Sequence, residues 1–346
     1  MSMRILSFKE AIREAQECAL ADEKVFLIGE GVPDPKAIFG TTTGLQEKFP
    51  DRVFDMPISE NGVTGMCIGA AINGMKPILV HQRMDFSLYA MDQIVNNAAK
   101  WFSMYGGQKS VPFVVRMIIG RGWGQGNQHS QNLTAMYAHV PGLKIVMPSN
   151  AYDAKGLFLQ AVKDPNPVLF IEHRWLYETT SEVPEGSYDV PIGEARFVRY
   201  GKDVTVVASG HAVREAQKAA EFLATEGVSI ELIDLRSIKP LPFSEIKSSV
   251  KKTGKLLVID DAWRTCGLAA EILARVAEDI SIGLRAPPQR LTYPDYPSAS
   301  SPGLTRHYYN GPADICEAVG FTIRAAKDYQ SARTHDVPDQ NFRGPF

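Results

Sequence analysis

The chain has 346 residues, 45% hydrophobic and 22% charged, a length and composition suited to two globular domains with separate cores. Its formal net charge of -2 comes from 37 basic and 39 acidic residues spread along the sequence, leaving no electrostatic footprint for nucleic acid or an anionic membrane. The start, MSMRILSFKEAIREA, lacks the apolar core of a signal peptide, and no later apolar run reaches the ~18 residues of a membrane span. A cytoplasmic protein is expected.

In chain order, short apolar and β-branched runs come first: VFLIG at 25–29, PILV at 77–80, PFVVRMII at 112–119, LKIVM at 143–147 and VLFIE at 168–172. They alternate with longer helix-compatible stretches. Continuous apolar strands between helices predict an α/β fold with a parallel sheet covered on both faces. Residues 181–201 are rich in Pro, Gly and charge and read as a surface linker. Beyond it VTVVAS, the helical AVREAQKAAEFLATEG and VSIELIDL make a second βαβ unit, with a glycine stop at Gly227. KLLVID and a helix from Leu268 to Asp279 repeat the pattern. The division expected is residues 1–180, a linker at 181–201, a smaller α/β domain at 202–327 and an extended tail at 328–346.

Cys18, Cys67, Cys266 and Cys316 lie far apart with no CxxC pair. They suit neither a disulfide framework nor a zinc site and read as reduced thiols filling core space.

Three stretches could carry chemistry. MPISENGVTGMCIGAAINGMKP places Glu60 after a short strand, VFDM, and at the head of a glycine-rich helix. Each helical glycine costs about 1 kcal/mol relative to alanine, and Gly65 and Gly69 share a face that would let another helix approach, as at a subunit interface. Glu60 itself can be read as a catalytic carboxylate or as a first-turn residue stabilising the helix amino terminus. In IIGRGWGQGNQHSQ, alternating glycines after a buried strand suggest a loop whose backbone a ligand approaches. No P-loop or GxGxxG is present. His129 in that loop is either catalytic or simply hydrogen-bonded, and neither it nor His139 has a partner at metal-ligand spacing. HQRMDFSLYAMDQIVNNAAKW places Phe86 and Tyr89 near the start of a helix expected from about Ser87, as core or interface aromatics, with Phe86 also placed for a ligand.

GEGV, FGTTTGLQEKFPDRVFDMPISENGVTGMCIGAAINGMKP, AMDQIVNNAAKW, GNQHSQ, AHVPGLKIVMPSNAYDAKGL and IDLRSIKPLPF together resemble the β subunit of thiamine-diphosphate-dependent 2-oxoacid dehydrogenases, over about residues 5–325. The resemblance implies a transketolase-like pyrimidine-binding domain followed by a smaller transketolase C-terminal domain. It implies that Glu60 binds the ring nitrogen of the cofactor's aminopyrimidine, favouring the imino tautomer that removes the thiazolium proton. Phe86 would stack on the pyrimidine with Tyr89 beside it. His129 would contact substrate or donate a proton in acyl transfer, with Gln128, Ser130 and Gln131 positioning the ligand and His129. A structural potassium ion would rest on main-chain oxygens of Phe113, Ala161, Val162, Asp164 and Asn166, oxygen ligands being suited to a hard cation.

The chain has no GDG followed by a downstream Asn, the family's signature for holding magnesium and the diphosphate. The resemblance therefore implies a separate α subunit in an α2β2 heterotetramer, with β also contacting β and able to form a homodimer alone. Docking of a lipoyl acyltransferase by the β carboxyl-terminal region is a further implied partner. HQRMDF, GRGWGQGN and DDAWRTCGLAAE, with its Cys266, depart from the family pattern. The expected activity is oxidative decarboxylation of a 2-oxoacid with acyl transfer to lipoamide. The alternatives are a split transketolase-like carboligase and a non-catalytic assembly subunit, the last opposed by the joint presence of Glu60, Phe86 and His129.

Overall fold

The computed structural model describes residues 2–122 and 124–323; the expected tail lies outside them. The elements in order are β1 (Met3–Ser7), α1 (Phe8–Ala19), β2 (Val25–Gly29), α2 (Leu45–Lys48), β3 (Val53–Asp55), α3 (Glu60–Ile72) and β4 (Lys76–His81). A 3-10 segment (Met84–Ala90), a π segment (Gln93–Ala98), α4 (Ala99–Met104), β5 (Val114–Ile119), α5 (Thr134–Ala138), β6 (Lys144–Val146), α6 (Ala151–Lys163), β7 (Val168–His173) and β8 (Thr180–Pro184) follow. The second half contains β9 (Arg196–Arg199), β10 (Val204–Ala208), α7 (His211–Thr225), β11 (Ile230–Asp234), β12 (Ser237–Lys239), α8 (Phe243–Thr253), β13 (Leu256–Trp263), α9 (Leu268–Glu278), β14 (Gln289–Tyr293), α10 (Pro302–Thr305) and α11 (Pro312–Ile323).

Local chemistry accounts for several of these boundaries. Ser7 and Glu10 close a capping box at the head of α1, the Glu10 carboxylate accepting from the Ser7 N–H at 2.8 Å. Asn150 caps α6 by accepting from the Asp153 N–H at 2.9 Å. Past α7, Gly227 takes the left-handed conformation (φ 78°) expected of a helix stop.

The first sheet has the order β12-β6-β7-β5-β4-β2-β3 and the second β14-β13-β10-β11-β9. Their central strands run parallel, as expected, while β12 and β9 join antiparallel. Two features differ from the sequence reading. β12 crosses from the second half to pair with β6 of the first sheet. The stretch at 181–201 is more than a connector: β8 pairs with β1, Val190 packs into the core, and β9 joins the second sheet. Its Pro, Gly and charge conceal these short pairings because an edge strand needs little apolar content.

On one face of the first sheet, α1 and α6 cover Val114, Ile118 and Phe170. On the other, a single apolar cluster runs from Val63 and Leu79 through Met117 to Ile246 and Val276, so the two halves share a core. Burial of this shared apolar layer helps fix one half against the other. Cys67 and Cys316 are buried and Cys18 half-buried. Cys266 is exposed with φ 56°, at a turn before α9, so its expected core role is corrected. Among the described residues no helix is long and apolar enough to cross a membrane.

Candidate active site

Strands β2, β4 and β5 are parallel neighbours, so their carboxyl ends deliver three loops to one edge of the sheet, where such folds bind ligands. The loops bound a cleft of about 360 Å³ whose walls include Asp34, Phe39, Arg83, Phe86, Gln125 and His129. Phe86 and His129 meet edge to face at 5.3 Å and 86°. The chain between β4 and α4 begins as a 3-10 segment at Met84 and continues through π turns, whereas the sequence suggested a helix from about Ser87. Ser87 bonds the Tyr137 hydroxyl at 2.7 Å, and the Met84 sulfur accepts from the Leu133 N–H at 3.0 Å. These two contacts hold the segment against α5 and the residue leading into it.

Glu60 begins α3 and is only 8% exposed. No protein donor within the described residues hydrogen-bonds its carboxylate; its main-chain oxygen accepts from Thr64. Glu30 lies close by: burial first, then the charges of Glu60 and Asp55, push its carboxyl above the usual range, and its Oε1 is sealed from water without a partner. A buried Glu60 and a half-buried Glu30 close together, both with unused acceptor capacity, suit a donor from a ligand. GEGV was visible as a motif, but the partnership of Glu30 with Glu60 was not, because 30 residues separate them.

The alternating glycines prove to serve protein packing. A Cβ at Gly120 would strike the His173 ring at 2.6 Å, one at Gly122 the Arg174 guanidinium at 2.4 Å, and one at Gly126 the Ser300 hydroxyl at 2.5 Å. The loop is thus pressed between the end of β7 and the second half of the chain. At these three positions the close approach is by protein side chains, whereas Gly124 has a positive φ of 68° and only the Ser300 oxygen at 4.0 Å. The turn carrying His129 is held by the Ser130 hydroxyl donating to the Gln125 carbonyl at 3.2 Å and by the Gln131 amide donating to Asp85 at 2.7 Å. Burial raises the Asp85 carboxyl.

Of the residues expected at the site, Phe86 and His129 come together, with Glu60 at the neighbouring helix head. Tyr89 is 72% exposed and Gln128 is also exposed, and neither lines the cleft. Arg83 and Gln125, joined by a hydrogen bond, were visible only as departures in sequence. At the expected potassium corner the Phe113 oxygen accepts from the Val168 N–H at 2.9 Å and the Ala161 oxygen from the Asp164 N–H at 3.2 Å. The Lys144 ammonium pairs with the Asp164 carboxylate there.

A second cluster joins the two halves. His173, His211 and Asp261 bring one nitrogen or oxygen each to within 4.8 Å of one another. The imidazoles are stacked, 4.9 Å apart at 22°, so their lone pairs run side by side instead of converging. His173 Nδ1 accepts from the Trp175 N–H at 3.2 Å, which places the proton of the neutral ring on Nε2 and removes its ligating lone pair. This is a packed polar junction and not a metal centre.

The chain is a two-domain α/β protein with a buried Glu at the head of α3 and Phe86 and His129 meeting in the cleft at the carboxyl ends of the parallel strands, a fold of transketolase type. The comparisons agree. A family model described as transketolase, pyrimidine binding domain, matches residues 6–180, and one described as transketolase, C-terminal domain, matches residues 193–315. The acetoin:2,6-dichlorophenolindophenol oxidoreductase subunit beta of Cupriavidus necator is 42% identical, with 94% of this chain and 99% of the relative covered. The pyruvate dehydrogenase E1 component subunit beta of Rickettsia felis is 40% identical (91% and 97%), and a mitochondrial beta-2 subunit of the same name from Oryza sativa is 43% identical (89% and 85%). A solved structure described as a split gene transketolase, inactive beta4 tetramer, superposes with TM-score 0.76 over 93% of this chain and all of that one, at 22% identity, which establishes the likeness of fold. The chain belongs to the transketolase-like family, among the β subunits of 2-oxoacid dehydrogenases. Thiamine diphosphate is the cofactor of that family, and the first activity expected from sequence is favoured over the carboligase alternative.

Proposed function

We propose that this chain, joined to an α subunit that supplies the magnesium- and diphosphate-binding half, decarboxylates a 2-oxoacid in an α2β2 heterotetramer in the cytoplasm and passes the acyl group to lipoamide on an acyltransferase. The observation that carries this reading is the Glu60 carboxylate, buried at the head of α3 near Glu30 with no hydrogen-bond donor among the described residues, together with the Phe86–His129 ring pair in the cleft. Thiamine diphosphate, when bound, supplies the electron sink for loss of carbon dioxide.

The residues present fit the pyrimidine half. Glu60 offers a buried acceptor to a ring N–H, while burial first, then the charge of Glu60, raises the neighbouring Glu30 carboxyl. The Phe86 ring supplies an apolar platform. His129, kept in orientation by its edge contact with Phe86, can donate a proton to an oxygen in the cleft or accept one from it. Tyr89 and Gln128, exposed in the single chain, are proposed to reach the cofactor only where the α subunit covers the site.

Exposed Ile58 (86%), Met66 (69%) and Tyr89 (72%) surround this edge, and a Cβ at Gly69 would meet nothing within 4 Å. Such an apolar, glycine-smoothed face supports a partner subunit at α3. We also propose potassium on the main-chain oxygens of Phe113, Ala161, Val162, Asp164 and Asn166, since a carbonyl that accepts one hydrogen bond retains a second lone pair.

The test is to co-purify the α subunit and measure 2-oxoacid decarboxylation with thiamine diphosphate and magnesium. Glu60→Gln is expected to lower kcat by about 10²–10⁴-fold, the usual worth of a positioned acid or base, with the heterotetramer intact by size. Unchanged turnover would remove Glu60 from the mechanism.

A further inference from the structure

His129 sits on the loop between β5 and α5, and the second half of the chain grips that loop from its start to its end. At the start, the buried Arg121 guanidinium donates to the Ser300 main-chain oxygen at 2.9 Å. At the end, Asn132 donates from Nδ2 to the Asp261 main-chain oxygen at 2.9 Å and accepts from the Thr134 N–H at 3.1 Å, at the entry to α5. Between them Gly126 lies against Ser300: a Cβ there would be 2.5 Å from the hydroxyl and 3.6 Å from the Ser298 oxygen. The backbone at Gly126 is outside the left-handed region that favours glycine, so it is the approach of Ser300 that keeps this position small. Gly126 also opens the turn that carries the histidine, its carbonyl accepting from the His129 N–H at 3.1 Å. A push at Gly126 passes to His129 through one hydrogen bond.

The segment 294–301 that supplies Ser300 is itself fixed. Trp263, at the end of β13, donates from Nε1 to the Tyr296 oxygen at 3.0 Å, and the Thr265 N–H and hydroxyl donate to Asp295 at 3.0 and 2.6 Å. Trp175 joins the two sides. Its Nε1 donates to the Arg121 carbonyl at 2.7 Å while its ring packs on His211 and Tyr309 of the second half. A glycine-rich loop takes its order from what it leans on, and displacing a reacting group by about 1 Å costs about 10²-fold in rate.

We propose that the second half of this chain is a working part of the active site: Asp261 and the 294–301 segment clamp the His129 loop, and Arg121, Gly126 and Asn132 are positioning residues that set the imidazole at the cleft. The inference rests on the reading above, in which His129 gives or takes a proton there.

The experiment uses the co-purified α/β enzyme with thiamine diphosphate, magnesium and either pyruvate or 3-methyl-2-oxobutanoate. Gly126→Ala should lower kcat about 10- to 100-fold. The KM for thiamine diphosphate should stay within about twofold, because Glu60 and Phe86 lie off the loop. Ser300→Ala in the same chain removes the hydroxyl that the new methyl strikes and leaves the Ser300 N at 3.4 Å as its nearest neighbour. This second change should return kcat to within about threefold of wild type, the coupling of two residues that touch. Asn132→Ser is a milder probe that keeps an oxygen for the Thr134 N–H but does not reach Asp261, and it should lower kcat in the same direction. A further readout needs no turnover: hydrogen exchange over residues 124–133 should quicken in Gly126→Ala and in Asn132→Ser, and Ser300→Ala should slow it again in the first.

Wild-type kcat in Gly126→Ala, or a loss that Ser300→Ala does not recover, overturns the clamp and leaves 2-oxoacid decarboxylation standing. If neither acid is turned over by the wild type, the proposed function fails, and exchange decides the clamp by itself: unchanged exchange in both variants overturns it.

Discussion

Replacing Asp261 by Asn offers a direct test of how the two halves are joined. Burial first, then the neighbouring charges of Asp260 and Glu215, push the Asp261 carboxyl up to about 7. Its Oδ2 is sealed from water although the residue as a whole is only half-buried. The groups around it are Asp260, Glu215, the Tyr293 hydroxyl, the Ala212 N–H, and the neutral His173 and His211. A carboxyl whose folded pKa is raised binds its proton more tightly in the folded state. Its stabilising contribution is complete below the unfolded value of 3.8 and is lost as pH rises towards 7. A rise of this size corresponds to about 4 kcal/mol at alkaline pH. Asparagine keeps an oxygen for the donors and has no proton to lose. Asp261→Asn should match the wild type near pH 4 and exceed it by up to about 4 kcal/mol at pH 8, read from urea denaturation at a series of pH values. The histidines act with opposite sign. Burial lowers His211 to about 4 and holds His173 well below its usual value, so their contribution is complete above 6.5 and is lost as pH falls from there towards about 4. Parallel pH profiles for Asp261→Asn and wild type would refute the assignment of a proton to this carboxyl.

Other tests address the scaffold. Arg116 and Glu172 are completely buried and doubly bonded at 2.5 and 2.9 Å, while Arg116 also donates to Gln16 and Tyr177 donates to Glu172. Glu172→Ala leaves that guanidinium without its counter-charge and should cost about 3–5 kcal/mol in denaturant unfolding. At Gly142, with φ 97°, a Cβ would lie 1.9 Å from the Ala99 oxygen, so Gly142→Ala should destabilise by at least about 2 kcal/mol, measured as a lower urea midpoint; an unchanged midpoint would contradict the close approach. For the proposed potassium site, exchange of potassium for sodium at constant ionic strength should lower the thermal midpoint, and equal midpoints would remove the ion.

What the sequence made visible, and what it hid, follows from the range of the forces involved. The parallel strands were readable because β4, β5 and β7 carry runs of apolar residues with both faces covered, interrupted mainly by the buried Arg116–Glu172 pair. β12, three residues with one apolar side chain, carries no periodicity, and its pairing with β6 depends on a chain about ninety residues away. The 3-10 and π segments of 84–98 share the apolar spacing of an α-helix too closely to be separated from it. Glycine at 120, 122 and 126 announced a close approach, but the approaching groups are His173, Arg174 and Ser300, which only the tertiary fold supplies. The site divides in the same way. Glu60 and His129 stood out as candidates because linked motifs outweighed local readings that treated them as a helix-end acid and a loop histidine. Arg83 was noticed only as a departure from pattern.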